Sequence, residues 1–199
     1  MSPFLAIDTT TGTSVAVVAG DRVLAEINVD DRMGHSENIG SALAEVLKRA
    51  DVRASDLTAV VAGRGPAPFT GLRVGIAAAV AFAEGMALAA FDAGVQATAE
   101  HPLLITTDAR RSEVYFTLYS GLDSHGIPTR MTEPAVAKPA ELETLLQERG
   151  TSAQTTDVAM SAAALGRVAQ AQLLVGLVSD DVSALYLRAP DAVEPKARG

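Results

Sequence analysis

The chain has 199 residues, 48% hydrophobic and 20% charged, and its 16 Lys and Arg against 24 Asp and Glu give a net charge of −8. Such a length buries a sizeable core, and the composition is neither collagenous, low-complexity nor disordered. The acidic balance excludes a protein that grips nucleic acid alone through a broad basic surface, and the lack of Cys excludes disulfides, thiolate zinc sites and cysteine nucleophiles.

No secretory signal is predicted at the start, because a basic lead is missing and Asp8 interrupts the first apolar run. The most apolar stretch, residues 74–91, is Ala-rich and broken by Glu84. A membrane span wants about 20 strongly apolar residues, so none is predicted. The expected compartment is the cytoplasm.

Residues 4–7, 14–19 and 23–29 read as three strands in an antiparallel meander, with Gly20-Asp21 as one of the tight turns. Residues 36–50 read as a helix with Ser36 as N-cap. Ile39, Leu43, Val46, Leu47 and Ala50 form its apolar stripe, and Lys48 and Arg49 suit the dipole in its last turn. Residues 57–62 read as a fourth strand and residues 63–68 as a stiff Gly/Pro loop.

A second helix is predicted over residues 70–87. Leu72, Ile76, Ala79, Val80, Ala83 and Ala87 make one stripe; Val74, Ala78, Ala81 and Phe82 make another on nearly the opposite side. A helix apolar nearly all round is covered on two sides. One cover is its own sheet. The other is either a helix of the same domain or an outside partner, and the pattern alone leaves both open. The small residues Gly75, Ala77, Ala78 and Ala79 permit close approach.

Farther on, residues 103–107 and 114–119 read as strands around a turn at 108–111, and residues 131–137 as another strand. Residues 139–148 and 161–174 read as helices, the first with Pro at an early position, and residues 185–187 as a last short strand. This order predicts an α/β chain of two lobes, residues 1–102 and 103–188, with a flexible tail at 189–199.

Candidate chemistry is sparse. The Gly63–Gly71 segment lacks the Lys of a P-loop and the third Gly of a dinucleotide fingerprint, so a stiff connection is favoured over a phosphate site. The Asp8-Thr9-Thr10-Thr11 loop could hold a phosphate with Asp8 near Mg²⁺, or could cap itself as an Asx turn. His35, His101 and His125 share no metal-binding spacing, and adjacent His35 and Ser36 make a poor catalytic pair. In the dense Asp108–Tyr115 cluster, Arg110 is expected to fork onto a carboxylate and fix the turn.

Four segments, in order, resemble the bacterial TsaB family, also called YeaZ. They are Phe4-Leu-Ala-Ile-Asp-Thr-Thr, Gly63-Arg-Gly-Pro-Ala-Pro-Phe-Thr-Gly-Leu-Arg-Val-Gly75, Asp108-Ala-Arg-Arg-Ser-Glu-Val-Tyr115 and Tyr186-Leu-Arg188. The resemblance carries Asp8, Gly65, Pro66, Phe69, Thr70, Gly71, Arg73, Asp108, Arg110, Glu113 and Tyr115 as motif positions. Ala67 and Pro68 stand where the family usually has Gly and Ser. The resemblance is strongest over about the first 120 residues.

The resemblance implies a two-lobed actin/Hsp70/sugar-kinase-like fold of ribonuclease H-like type, here with a shortened second lobe. It implies a non-catalytic partner of TsaD, the subunit that transfers threonylcarbamoyl to the adenosine beside the tRNA anticodon, with TsaE, an ATPase, as a further partner. It also implies a homodimer through the two N-terminal helices, with tRNA met only indirectly, and so resolves the second helix in favour of an outside partner. Ile39, Leu43, Val74, Ala78 and Phe82 are then the expected interface. The catalytic relative has a metal-binding His pair after the strand that follows the second helix. Residues 90–96 here read Ala-Phe-Asp-Ala-Gly-Val-Gln, so neither metal nor other cofactor is expected. The competing expectation is an ATP-dependent kinase or ATPase using Asp8 and Thr9–Thr11. A metallopeptidase is disfavoured on the same missing histidines.

Overall fold

The computed structural model describes residues 2–30, 35–66, 69–82, 86–88, 102–157, 161–177, 181 and 183–187. Strands β1 (Phe4–Asp8), β2 (Thr13–Ala19) and β3 (Arg22–Val29) form the antiparallel meander expected from the sequence. Helix α1 (His35–Ala50) leads to β4 (Ala59–Gly63), which pairs parallel to β1. Helix α2 (Phe69–Phe82) leads to β5 (Met86–Leu88), parallel to β4, completing the order β3-β2-β1-β4-β5. Three antiparallel strands followed by two parallel ones in this order are the ribonuclease H-like arrangement.

Helix α2 therefore ends before the expected residue 87, and residues 86–88 join the sheet instead. An Ala-rich run has the same apolar signature in either state.

Successive residues of a strand face opposite ways, and here both faces are covered. Phe4, Ala6, Ala16, Val18 and Val61 pack on one side; Leu5, Ile7, Val15, Val17, Val60 and Ala62 pack on the other, with α1 and α2. Burial on both faces is why β1 is an unbroken apolar run.

The second sheet, in the order β10-β6-β7-β8, has β6 (Leu103–Asp108), β7 (Val114–Leu122), β8 (Pro128–Arg130) and β10 (Gln154–Asp157), with β9 (Ala135–Ala137) also on β7. Helix α3 (Pro139–Glu148) has Pro139 at its first position and covers one face through Leu142, Leu145 and Leu146. Its Glu141 carboxylate accepts from the Lys138 N–H at 2.8 Å. The single strand expected over 131–137 is replaced by β8 and β9. Strand β10 falls in a polar stretch without an apolar signature; it pairs parallel to β6. Residues 185–187 form no strand.

Helix α4 (Ala162–Leu174) departs from its expected place in the second lobe. Ala162, Ala163, Leu165, Val168 and Ala169 pack on the first sheet, on the face away from α1 and α2. A carboxylate of β3 holds its N-terminus. Glu26 Oε1 accepts from the Ser161 hydroxyl at 2.6 Å and the Ala163 N–H at 3.1 Å. The Ser14 hydroxyl oxygen accepts from the Ala162 N–H at 2.9 Å. Charge-assisted bonds to the exposed donors of a first turn are worth about 1.5–3 kcal/mol. Glu26→Ala is therefore expected to destabilise the chain by about 1–3 kcal/mol in urea unfolding. An unchanged midpoint would show that α4 is held by apolar packing alone.

Candidate partner-docking site

The loop after β1 is filled from within. Asp8 is 2% exposed, and its Oδ1 accepts from the Thr10 N–H at 2.9 Å and from the Thr10 hydroxyl. The Thr9 hydroxyl donates to the Gly71 carbonyl in the first turn of α2 at 2.8 Å. A Cβ on Gly63 would overlap the Asp8 carboxylate, and one on Gly75 would overlap the Thr9 hydroxyl. Of the two readings open on sequence, the self-capping turn matches this geometry. Gly75 thus serves close approach to a loop of its own lobe, not to another helix. Gly65, at φ 97° and joined to Pro66 by a cis peptide bond, carries the chain toward α2.

Leu72 and Ala79 of α2 are fully buried, Gly75 is buried, and Ile76 and Ala78 pack against the sheet core. The open arc is Arg73, Ala77, Val80 and Ala81, with Val80 51% exposed. Most of the residues expected at an interface lie off this arc. Leu43 is 7% exposed and belongs to the core; Ile39 and Ala78 pack partly against the same core; Val74 is half-buried. The Phe82 side chain lies outside the described residues. Gly75 is the cause of the shift: a helical wheel scores it as nothing, yet its bare face is the closest approach of α2 to its own lobe. The true buried arc therefore lies between the two stripes read from sequence.

Residues 183–187 run as a strap beside that open arc. Arg64 donates from Nε to the Ser183 carbonyl at 2.9 Å and from Nη2 to the Ser183 hydroxyl at 3.1 Å, and forms a 2.7 Å ion pair with Asp181. The Leu185 N–H donates to the Arg64 carbonyl at 2.7 Å. Arg73 Nε donates to the Tyr186 hydroxyl at 2.7 Å, and its guanidinium carbon lies 5.7 Å from that ring's centre. Between α2 and the strap lies an open groove of about 510 Å³, floored by Ile76, Ala77, Val80 and Ala81 and walled by Ala184 and Tyr186. Leu187 then enters the second lobe's cluster with Leu103, Ile105, Ala109, Tyr115 and Tyr119.

Bonds from Ser183 and the nearby Arg64 hold the Asp181 carboxyl below its ordinary value of 3.8. A depressed carboxylate contributes stability above its unfolded pKa and loses it as pH falls through the folded one. The strap anchor is thus complete at neutral pH and weakens only in acid below the usual aspartate range. Fluorescence of Tyr186, followed down an acid titration and compared with Asp181→Asn, checks this.

The turn between β6 and β7 is strained. Arg110, Arg111 and Ser112 have φ of 62°, 56° and 59°, consecutive left-handed positions without a glycine. Each costs about 1–2 kcal/mol over Gly. Asp108 Oδ1 accepts from the Arg110 N–H at 2.8 Å, and the Ala109 and Glu113 backbones close the turn. The expected fork from Arg110 onto a carboxylate is absent among the described residues; Arg110 is exposed instead. Tyr115 is buried, and Glu113 is half-buried with a partner within the chain.

The side chains of Phe69 and Thr70, residues 90–96 and the tail at 189–199 lie outside the described residues. Among the described residues, no group of three or more His, Asp or Glu could hold a metal ion, and no helix is long and apolar enough to cross a membrane. Sequence reasoning passed over Arg64, Ala184 and the exposure of Val80. The available signals were the Tyr186 segment and the motif position Arg73, and neither gave a hint that the two are partners.

These features define a two-lobed α/β protein of the actin/Hsp70/sugar-kinase-like class, with an open face on α2 among the described residues. A solved structure of YeaZ from Pseudomonas aeruginosa shares the fold with a TM-score of 0.72 at 24% identity, covering 94% of this chain and 100% of that one. A family model described as TsaD, tRNA N6-adenosine threonylcarbamoyltransferase, matches residues 24–185. An uncharacterized protein of Mycobacterium leprae is 35% identical over 210 residues, 96% of this chain; the chain spans 56% of that relative's length. The tRNA threonylcarbamoyladenosine biosynthesis protein TsaB of Escherichia coli is 31% identical over 154 residues, 72% of this chain and 66% of that protein. The chain belongs to the TsaB (YeaZ) family.

Proposed function

We propose that this chain is a non-catalytic scaffold and activator subunit in tRNA threonylcarbamoyladenosine biosynthesis, working in the cytoplasm by docking onto the catalytic subunit TsaD. The pathway follows from the family and the named relatives. The docking surface is the open arc of α2 with its groove, and one observation carries it: Val80 stands 51% exposed among Ala77 and Ala81, next to an aromatic ring. Exposed apolar groups rimmed by polar ones suit a protein contact. In the absence of TsaD the same face pairs with a second copy. TsaE joins the assembly, and tRNA contacts fall mainly to the partner because this chain carries a net charge of −8.

Reconstitution of the adenosine modification with cognate TsaD and TsaE, with and without this chain, tests the reading. The expected result is no product from the chain alone and product from the full set that depends on it. Product from this chain unaided overturns it.

The competing reading is an ATP-dependent kinase or ATPase at Asp8. It would need the Asp8 carboxylate and the Thr9 and Thr10 hydroxyls to serve a phosphate and its Mg²⁺. Asp8 and Thr10 instead bond each other, and Thr9 bonds the start of α2. Titration with Mg-ATP should show no heat that Asp8→Asn abolishes; such heat would favour the enzyme.

A further inference from the structure

We infer that the β6–β7 turn is a second contact with the protein partner, in which Arg110 forks onto a carboxylate of that partner. This rests on the docking reading above and adds a contact that the α2 face does not supply.

The starting observation is the cluster of left-handed backbone at Arg110, Arg111 and Ser112. Glycine, or at single positions asparagine, relieves such strain. This turn holds two arginines and a serine in a row, none of which relieves it. Strain of this kind gathers where a side chain is presented for use. Arg111 has an interaction within the chain, whereas the Arg110 guanidinium takes no hydrogen bond or ion pair among the described residues. Asp108 fixes the Arg110 backbone at 2.8 Å, so the exposed guanidinium stands on a held base.

The place of the turn connects it to the groove. Ala109, directly before Arg110, is buried in the cluster that Leu187 joins; Tyr186, directly before Leu187, walls the groove. Tyr186 and Arg110 are thus each one residue away from a member of the same apolar cluster.

Charge decides between a carboxylate and a nucleic-acid phosphate. Affinity for a polyanion grows with the number of phosphates neutralised. Here the two arginines are flanked by Asp108 and Glu113, which cancel them locally, on a chain of net charge −8. A single directional pair suits that setting, and the guanidinium fork matches a carboxylate better than an ammonium does.

The test compares the wild-type chain with Ser112→Gly, Arg110→Gly and Arg110→Lys, reading Tm alone and affinity for purified cognate TsaD. Ser112→Gly should raise Tm by about 1–3 °C, since Gly's extra unfolded-state freedom offsets part of the relieved strain, and should leave the affinity unchanged. Arg110→Gly should raise Tm likewise yet weaken TsaD binding by about tenfold, with a smaller loss at high salt. Arg110→Lys should recover only part of the affinity. Unchanged affinity for Arg110→Gly overturns the inference while leaving the α2 docking face standing. A Tm that does not rise for either glycine variant overturns it too. Weakened tRNA binding by the assembled complex at unchanged TsaD affinity would reassign Arg110 to a phosphodiester. A wild-type chain that binds no TsaD overturns the docking reading, and this inference with it.

Discussion

Val80→Asp should leave the isolated chain folded and weaken its complex with TsaD by about a hundredfold or more. Val80 is 51% exposed on the open arc of α2, so an aspartate there stays in water in the free chain. In the complex the same carboxylate is buried without a partner. Loss of valine burial removes about 1 kcal/mol of the roughly 1.5–3 that a fully buried valine contributes. Desolvating an unpaired charge adds several kcal/mol more. Together they exceed the roughly 2.8 kcal/mol that a hundredfold represents. Leu43→Asp is the matching control: at 7% exposure in the core beneath α1, it should prevent folding altogether. Circular dichroism and a binding titration separate the two outcomes. If Val80→Asp unfolds the chain, α2 is covered from within; if it binds normally, the partner docks elsewhere.

The second large effect runs against helix propensity. Ala in place of a mid-helix Gly ordinarily gains about 1 kcal/mol. Gly75→Ala should instead destabilise the chain by about 1–3 kcal/mol. Its Cβ would overlap the Thr9 hydroxyl, with the Thr9 Cγ2 and Cβ next at 3.1 and 3.3 Å. Thr9 is β-branched, 1% exposed and bonded to the Gly71 carbonyl, so it cannot swing aside. Overpacking of about 1–3 kcal/mol plus a strained or lost hydrogen bond of about 1 outweighs the propensity gain. Urea unfolding measures the net change. The pair Thr9→Ala with Gly75→Ala should cost less than the sum of the two single changes. Stabilisation by Gly75→Ala alone would mean that α2 stands off from this loop.

Much of the first lobe is legible in the sequence. Phe4 to Ile7, Ser14 to Ala19 and the Gly20-Asp21 turn are local signals, and local signals suffice for a meander. Five other features were not legible, each because its cause is nonlocal. The helix α2 merges into β5 in one Ala-rich run, where propensity does not distinguish helix from buried strand. Strand β10, Gln154–Asp157, is polar and is defined by pairing with β6 rather than by its own pattern. The period of α4 marks an apolar face but not which sheet receives it; Ser161 at its N-terminus bonds Glu26, 135 residues away. The same holds at the docking face. Val80 reads as a core residue by spacing, and only the contact of Gly75 with Thr9 turns it outward. Arg110 reads as a structural ion-pair donor from composition, and only its left-handed backbone reveals that it is held out.

Titration of purified cognate TsaD into this chain, wild type beside Val80→Asp, bears most directly on how the subunit works. Saturable binding by the wild type at micromolar or lower concentration, lost in the folded variant, is the expected result. Equal binding by both proteins, or none by the wild type, would contradict the assignment of the open α2 face as the place where TsaD docks.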